Sequence, residues 1–405
     1  MTAATTNMST DHSRATADGA HTHGRGGTPE ASRGDRATSF DLAAFKVPTG
    51  REEDWRFSPV DRLQRLFAGG LTGTGPSITV EKDDAVRVER VGRDDPRLGT
   101  VGAPGDRISA VAWESFGEAT VITVPRNHVG AQHTMVAING DELSAAAPAA
   151  QHLLVVAEEL SESLVVLDHR GTAEVAQTVE IDVRDGAHLT LVSVQDWADG
   201  AVHVGNHRIR VGRDAHLKHI VVTLGGDIVR LTPDVAFAAP GGDVELLGLY
   251  FTDAGQHQEH RLFVDHAVPS CKSRATYKGA LQGQDAHSVW VGDVLIRHEA
   301  EGTDTYELNR NLVLTEGARA DSVPNLEIET GEIEGAGHAS ATGRFDDEQL
   351  FYLRSRGIPE ADARRLVVRG FFAELINQIG VPLVQERLMA AIEVELDRTM
   401  ESASR

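Results

Sequence analysis

Between residues 75 and 345 the apolar positions come in short strand-like runs. Examples are Ala119-Thr120-Val121-Ile122-Thr123-Val124, Leu153-Leu154-Val155-Val156 and Leu164-Val165-Val166-Leu167. Leu189-Thr190-Leu191-Val192-Ser193-Val194 and Ile220-Val221-Val222-Thr223-Leu224 follow, with Gly, Asp, Asn or Pro between the runs. This alternation of β-favouring residues and turn formers predicts strands. The triplet Ala187-His188-Leu189 returns as Ala215-His216-Leu217, and Asp243 opens Asp243-Val244-Glu245-Leu246-Leu247 after the same 28-residue step. Ala286-His287-Ser288 and Ala318-Arg319-Ala320-Asp321 resemble the same start at looser spacing. Repeated strand–turn units of this size fit a parallel β-helix, in which each coil stacks on the last. Because the period is not strict, a β-sandwich or barrel satisfies the same pattern. A long stack ends in exposed strand edges, which need caps or a partner chain.

The pattern changes at both ends. Residues 1–36 hold almost no large apolar side chains and are expected to form a disordered tail. Its His12, His21 and His23 are expected to be solvated rather than to form a loose metal-binding tail. Over 37–74, Phe40, Leu42, Phe45, Val60, Leu63, Leu66 and Phe67 predict short helical pieces around a turn at Pro48 and Gly50, leading into a packed Trp55. From 346 to 405 the spacing becomes helical. Asp346-Asp347-Glu348-Gln349 resembles a capping box, and Gly357 fits a helix stop. A second helix starts with Pro359 at its first position. It carries Val367, Phe371, Leu375 and Ile379 on a stripe widened by Leu366 and Ile376, and Gly380 ends it. Pro382 opens a third, with Val384, Leu388, Ile392 and Leu396 on one face. These stripes either pack only on each other or leave some apolar face for a partner.

Charge and chemistry narrow the function. Thirty-nine Lys and Arg against sixty-one Asp and Glu give a net charge of −22, which disfavours nucleic acid and anionic membrane surfaces. One cysteine, Cys271, cannot form an internal disulfide, and no apolar run reaches membrane-spanning length, so a cytoplasmic protein is expected. Phosphate-binding loops, dinucleotide fingerprints and nucleophile elbows are missing from the sequence. Among His257, His260 and His266, the last two share a strand face but lie about 20 Å apart at strand rise. A cupin-like metal cluster would need a sharp bend there. Lys272 beside Cys271 could lower the thiol pKa modestly, although a lone cysteine is more often inert. His338, amid Gly335-Ala336-Gly337 and Ala339-Ser340-Ala341, is either packed where sheet meets helices or open to another bulky group.

Several further motifs stand in order along the chain. They are Tyr277-Lys278-Gly279-Ala280-Leu281, Ser288-Val289-Trp290-Val291-Gly292, Gly302-Thr303-Asp304-Thr305-Tyr306-Glu307, Asn309-Arg310-Asn311-Leu312, Ser322-Val323-Pro324-Asn325-Leu326 and Asp347-Glu348-Gln349-Leu350-Phe351-Tyr352. With Glu53-Asp54-Trp55-Arg56-Phe57 near the start, they resemble the SufB/SufD family of the SUF iron–sulfur cluster assembly system. The likeness is dense from about 250 to 380 and diffuse from 40 to 250.

The resemblance implies a mainly β fold: a right-handed parallel β-helix over 75–345, after a short helical N-terminal region and before a C-terminal helical domain. It implies a non-catalytic subunit that supports iron acquisition and scaffold completion, with two partners. A SufB-like paralogue would pair with the β-helix end, and a SufC-like ABC ATPase would dock on the C-terminal helices through Gln349, Leu350, Tyr352, Arg354, Arg356 and Phe371. The assembly would hold one SufB, two SufC and one SufD. SufB-like chains look to carry a Cys at the position of Ala318 and a Glu at that of Ala339, whereas SufD-like chains resemble this one in keeping His338. On this basis no cofactor is stably bound, and His338 is an iron or cluster ligand at the SufB interface, holding the cargo transiently. One thiol cannot cage a cluster alone, which agrees with a shared site. The alternative is a β-helix or cupin-like metal-dependent enzyme.

Overall fold

The computed structural model describes Gly34 and residues 36–130, 132–345 and 347–403. Apart from Gly34 and Arg36, the expected disordered tail, with His12, His21 and His23, lies outside the described residues, as do the side chains of Gln349 and Leu396.

Among the described residues, eighteen strands form two nine-stranded sheets that face each other. The first holds β1 (Ser77–Glu81), β4 (Thr134–Asn139), β6 (Glu162–Gly171), β8 (His188–Trp197), β10 (His216–Thr223), β12 (Asp243–Thr252), β14 (Lys272–Leu281), β16 (Asp304–Val313) and β18 (Gly335–Arg344). The second holds β2 (Arg87–Gly92), β3 (Glu118–Val124), β5 (Ala149–Ala157), β7 (Glu174–Val183), β9 (Val202–Val211), β11 (Ile228–Phe237), β13 (His257–His266), β15 (His287–Ile296) and β17 (Arg319–Ile328). From β3 onward the chain alternates between the sheets and every neighbouring pair is parallel, which makes a β-solenoid of about eight coils. Only β1 and β2 run antiparallel to their neighbours, closing the N-terminal end.

Two ladders account for the uneven repeat. Glu162, His188, His216, Asp243, Lys272, Asp304 and Gly335 stand in register along the first sheet. His257, His287 and Arg319 stand in register along the second. The triplet echo at His188 and His216 therefore marks one sheet, and the looser echoes at His287 and Arg319 mark the other.

Within each strand, alternate residues point into the solenoid. Leu189 and Leu191, Leu217 and Val221, Val244 and Leu246, and Leu262 and Val264 are buried together in its interior. Two large rings lie within this core, and two glycines make room for them. A Cβ on Gly248 would stand 1.9 Å from the Tyr277 ring, and one on Gly279 would stand 1.8 Å from the Tyr250 ring. Gly248 and Tyr277 are register partners, as are Tyr250 and Gly279, so each ring lies over the neighbouring strand's glycine. Gly279→Ala is expected to cost about 3 kcal/mol, at the upper end of ordinary overpacking, because the obstacle is a confined ring. Chemical denaturation of the two chains measures it.

Each outer face carries its own cover. On the second sheet, Trp55, Leu63, Leu66 and Phe67 pack with Ile108, Val111 and Ala112 against Ala176, Val204 and Ile228. The segment from 37 to 74 is indeed made of short helical pieces: 3-10 turns at Leu42–Ala44 and Val60–Leu63 and a single turn α1 (Gln64–Phe67). Two helices inside the strand region escaped the sequence reading, α2 (Arg107–Ser115) and α3 (Glu142–Ala146). The first has a reciprocal cap between Asp106 and Ser109, with serine in the place where glutamate or glutamine usually signals such a box.

On the first sheet lie α4 (Asp347–Ser355), α5 (Glu360–Ile379) and α6 (Pro382–Ala403). Pro359 caps α5 rather than opening it, and Gly380 ends it in the left-handed region. The stripes do not pack only on each other. Their buried side chains Val368, Phe372, Leu375, Ile376, Ile379, Val384, Leu388 and Ile392 pack on Val192, Val194, Ile220, Val222, Leu247, Leu249 and Phe251 of the sheet's outer face. In the N-terminal half of α5 the stripe is Val368 and Phe372, one position past the expected Val367 and Phe371, and Leu366 is exposed. The sheet sets that phase, which helical spacing alone left open. Arg387 bonds Asp168 at 2.7 Å, and Lys278 bonds Glu374 at 2.8 Å, tying α6 and α5 to the strands.

Candidate functional site at the open end of the solenoid

Strands β17 and β18 end the two sheets, and each is ten residues long with one edge unpaired among the described residues. Such an edge offers a row of free backbone donors and acceptors to another chain. Pro324, which has no backbone N–H, sits where strands tolerate proline, on the edge.

The inward positions of β16, next to this end, are polar from Thr305 to Asn311. Thr305, Glu307, Asn309 and Asn311 of β16 are buried at inward positions. Asn309 donates to the Tyr250 hydroxyl at 3.0 Å and Asn311 to Asn309 at 2.8 Å. One rung outward, Ser340 of β18 donates to Ser322 of β17 at 2.8 Å, and Asn311 donates to Thr342 at 3.3 Å. These bonds place the even-numbered residues of β18 on the inward face.

His338 is on that face, paired in register with Glu307. It is exposed, so the packed alternative does not hold. From Gly335 to Gly343 it is the one large side chain in its strand, and it has no hydrogen-bond partner among the described residues. Beneath it, Glu307 is 2% exposed and neither carboxylate oxygen has a hydrogen-bond partner. Burial, with the Asp293 charge nearby, pushes its carboxyl up to about 8. Sequence reading missed Glu307. The available signal was the alternation Thr305, Glu307, Asn309, Asn311, which becomes informative once that face is known to point inward.

The other residues singled out in the sequence lie elsewhere. His260 and His266 both face the interior, as alternation predicts. His260 shares a 2.9 Å hydrogen bond with Thr223 and stacks on Tyr250, while His266 shares one of 2.9 Å with Ser273. Burial lowers them to about 3 and about 4, so both are neutral core histidines. His257 faces outward, where His257, His287 and Asp321 form a hydrogen-bonded row. Among the described residues no group of three or more His, Cys, Asp or Glu side chains is gathered for a metal. Cys271 is fully buried, and burial raises its thiol pKa, so Lys272 does not activate it.

On α4, Leu350 points inward at 6% exposure, while Phe351 at 75% and Tyr352 at 56% point out. Arg354 pairs with Glu360, and Arg356 lies over the Tyr352 ring. Phe371 is half-buried against Phe372 and Lys278. No helix among the described residues is long and apolar enough to cross a membrane.

A family profile described as SUF system FeS cluster assembly, SufBD core domain, matches residues 137–371. The chain belongs to the SufBD family. An iron–sulfur cluster assembly SufBD family protein of Mycobacterium tuberculosis is 58% identical over 375 residues, covering 91% of this chain and 94% of the relative. The iron–sulfur cluster assembly protein SufD of Escherichia coli is 24% identical over 384 residues, covering 85% and 88%. The SufD protein of Bacillus subtilis is 29% identical over 252 residues, covering 60% and 56%. The SufBD match spans the strands from β4 to β18 and reaches into α5, so it includes the open end and His338. Family membership places the chain in iron–sulfur cluster assembly.

Proposed function

We propose that this SufBD chain is a SufD-type, non-catalytic subunit that completes a cluster assembly site at its open end. The observation that carries the reading is His338, an unpartnered imidazole exposed on the inward face of the last strand of an unpaired solenoid end. A cluster needs several ligands, usually thiolates, and the single thiol here is buried just before β14. The remaining ligands then come from a partner, a SufB-like paralogue docked on β17 and β18. Iron and the nascent cluster are cargo, held transiently between the two chains.

The second partner in this reading is a SufC-like ABC ATPase, because the chain itself carries no phosphate-binding loop. The C-terminal helices bury one face on the first sheet and leave Phe351, Tyr352 and Leu366 exposed. Exposed aromatics beside Arg354 and Arg356 suit a docking surface, with Gln349 and Phe371 on the same two helices. Leu350, by its burial, holds α4 in place beneath them.

His338→Ala tests the ligand role. The complex with both partners will still assemble, and cluster delivery to an apo-acceptor will fall several-fold. Unchanged delivery by an assembled complex removes His338 from the site.

A further inference from the structure

Glu307 is a carboxyl buried with nothing to bond to, one rung below His338. Parallel strands stand about 4.8 Å apart, and paired residues point the same way, so the two side chains occupy one column. The residue below Glu307 in that column is Ala275, and the strand above offers small residues on both sides of His338. Opposite, Gly292 of β15 leaves the space that the carboxyl fills: a Cβ there would stand 2.5 Å from Glu307 Oε1 and 2.4 Å from the Trp290 ring. The carboxyl therefore lies beside Gly292 and the Trp290 ring, with both oxygens buried, in the column that ends at His338.

We propose that Glu307 and His338 are the two donors that this chain contributes to a divalent cation site at the open end. The proposal rests on the reading of His338 as an iron-binding residue and adds to it a second, inner ligand. A hard carboxylate oxygen beside an imidazole nitrogen suits ferrous iron or a similar first-row ion, and is a poor match to magnesium or calcium, which take oxygen donors alone. Two donors leave most of the coordination sphere open. Water fills it in the isolated chain, and the partner's side chains replace the water when the subunits pair. This explains why no complete three-residue metal group is found among the described residues. It also gives the buried carboxyl the partner it lacks.

The experiment titrates the full-length chain anaerobically with ferrous iron by calorimetry, and with cobalt(II) by electronic absorption. The proteins are wild type, Glu307→Gln, Glu307→Asp, Gly292→Ala and His338→Ala. Wild type is expected to bind one ion at the open end. Glu307→Gln should weaken it at least tenfold and change the cobalt ligand-field bands, while Glu307→Asp keeps part of the affinity. Gly292→Ala, which crowds the carboxyl without removing a donor, should also weaken binding, and serves if the Glu307 variants fail to fold. Loss of binding in His338→Ala with full binding and unchanged bands in Glu307→Gln would overturn Glu307 and leave His338 standing. Equal binding in His338→Ala and wild type would overturn the underlying reading. No binding of either ion by wild type would overturn the site.

Discussion

Arg230→Ala is expected to destabilise the chain by about 3–5 kcal/mol, the cost of leaving a buried charge without its partner. Arg230 is 2% exposed and lies at the centre of the N-terminal cover. Its guanidinium bonds Asp106 and Glu259 at 3.2 Å each, donates to the Asp54 carbonyl at 3.2 Å and lies 4.0 Å from the centre of the Trp55 ring. Ser58 also donates to Glu259, at 2.6 Å. Glu53-Asp54-Trp55-Arg56, first noticed as a motif, thus docks on β11 and β13 around Arg230, with Arg261 also bonding Asp54.

The loss should depend on pH. Burial alone would raise the Glu259 carboxyl, but Arg230, aided by His257 and Arg261, holds it well below the usual carboxylate range. A carboxyl with a depressed folded pKa contributes stability above its unfolded value, near 4.3, and loses it as pH falls. Without Arg230, burial dominates and Glu259 takes up a proton more readily. The gap between variant and wild type will therefore be widest near neutral pH and shrink toward pH 4. Urea unfolding at a series of pH values measures it, and a gap that widens on acidification would contradict the account.

Phe372→Ala is the second large effect, about 3–5 kcal/mol on the contact between α5 and the first sheet. The ring is fully buried between helix and strands, in the cluster that also holds Leu249 and Phe251. Removing it should let α5 and α6 detach while the solenoid persists, since the solenoid has its own interior core. Limited proteolysis would then cleave first in the C-terminal helices. Phe371→Ala, by contrast, removes a half-buried ring and should cost about 1 kcal/mol. A larger loss at Phe371 than at Phe372 would show that the helix packs with the phase expected from spacing rather than the one seen.

The pair illustrates how far local pattern reaches. Leu375, Ile376 and Ile379 lie on the buried stripe under either phase, so the existence of the helix and roughly half its inner face were legible. Val367 against Val368, and Phe371 against Phe372, are equally apolar neighbours. Only the position of the sheet decides between them. The same holds for α2, where Ile108, Val111 and Ala112 satisfy both a short helix and a strand-rich neighbourhood, and the surface formed by Ala176, Val204 and Ile228 selects the helix.

At the candidate site, His338 stood out in the chain because small residues flank it, and that contrast needs no coordinates. Glu307 did not, because a glutamate in an alternating strand is ordinarily on the wet side. Strand alternation, turn residues and helical spacing act over a few residues, so a coil that repeats them, a helical C-terminal region and the shortage of thiols could all be read from the chain. Which face of β16 points inward, which sheet each echo belongs to, and which end of the stack stays open depend on residues about thirty positions apart meeting in register. That meeting strips water from a carboxyl and sets it under a histidine, and nothing local to either residue carries the information.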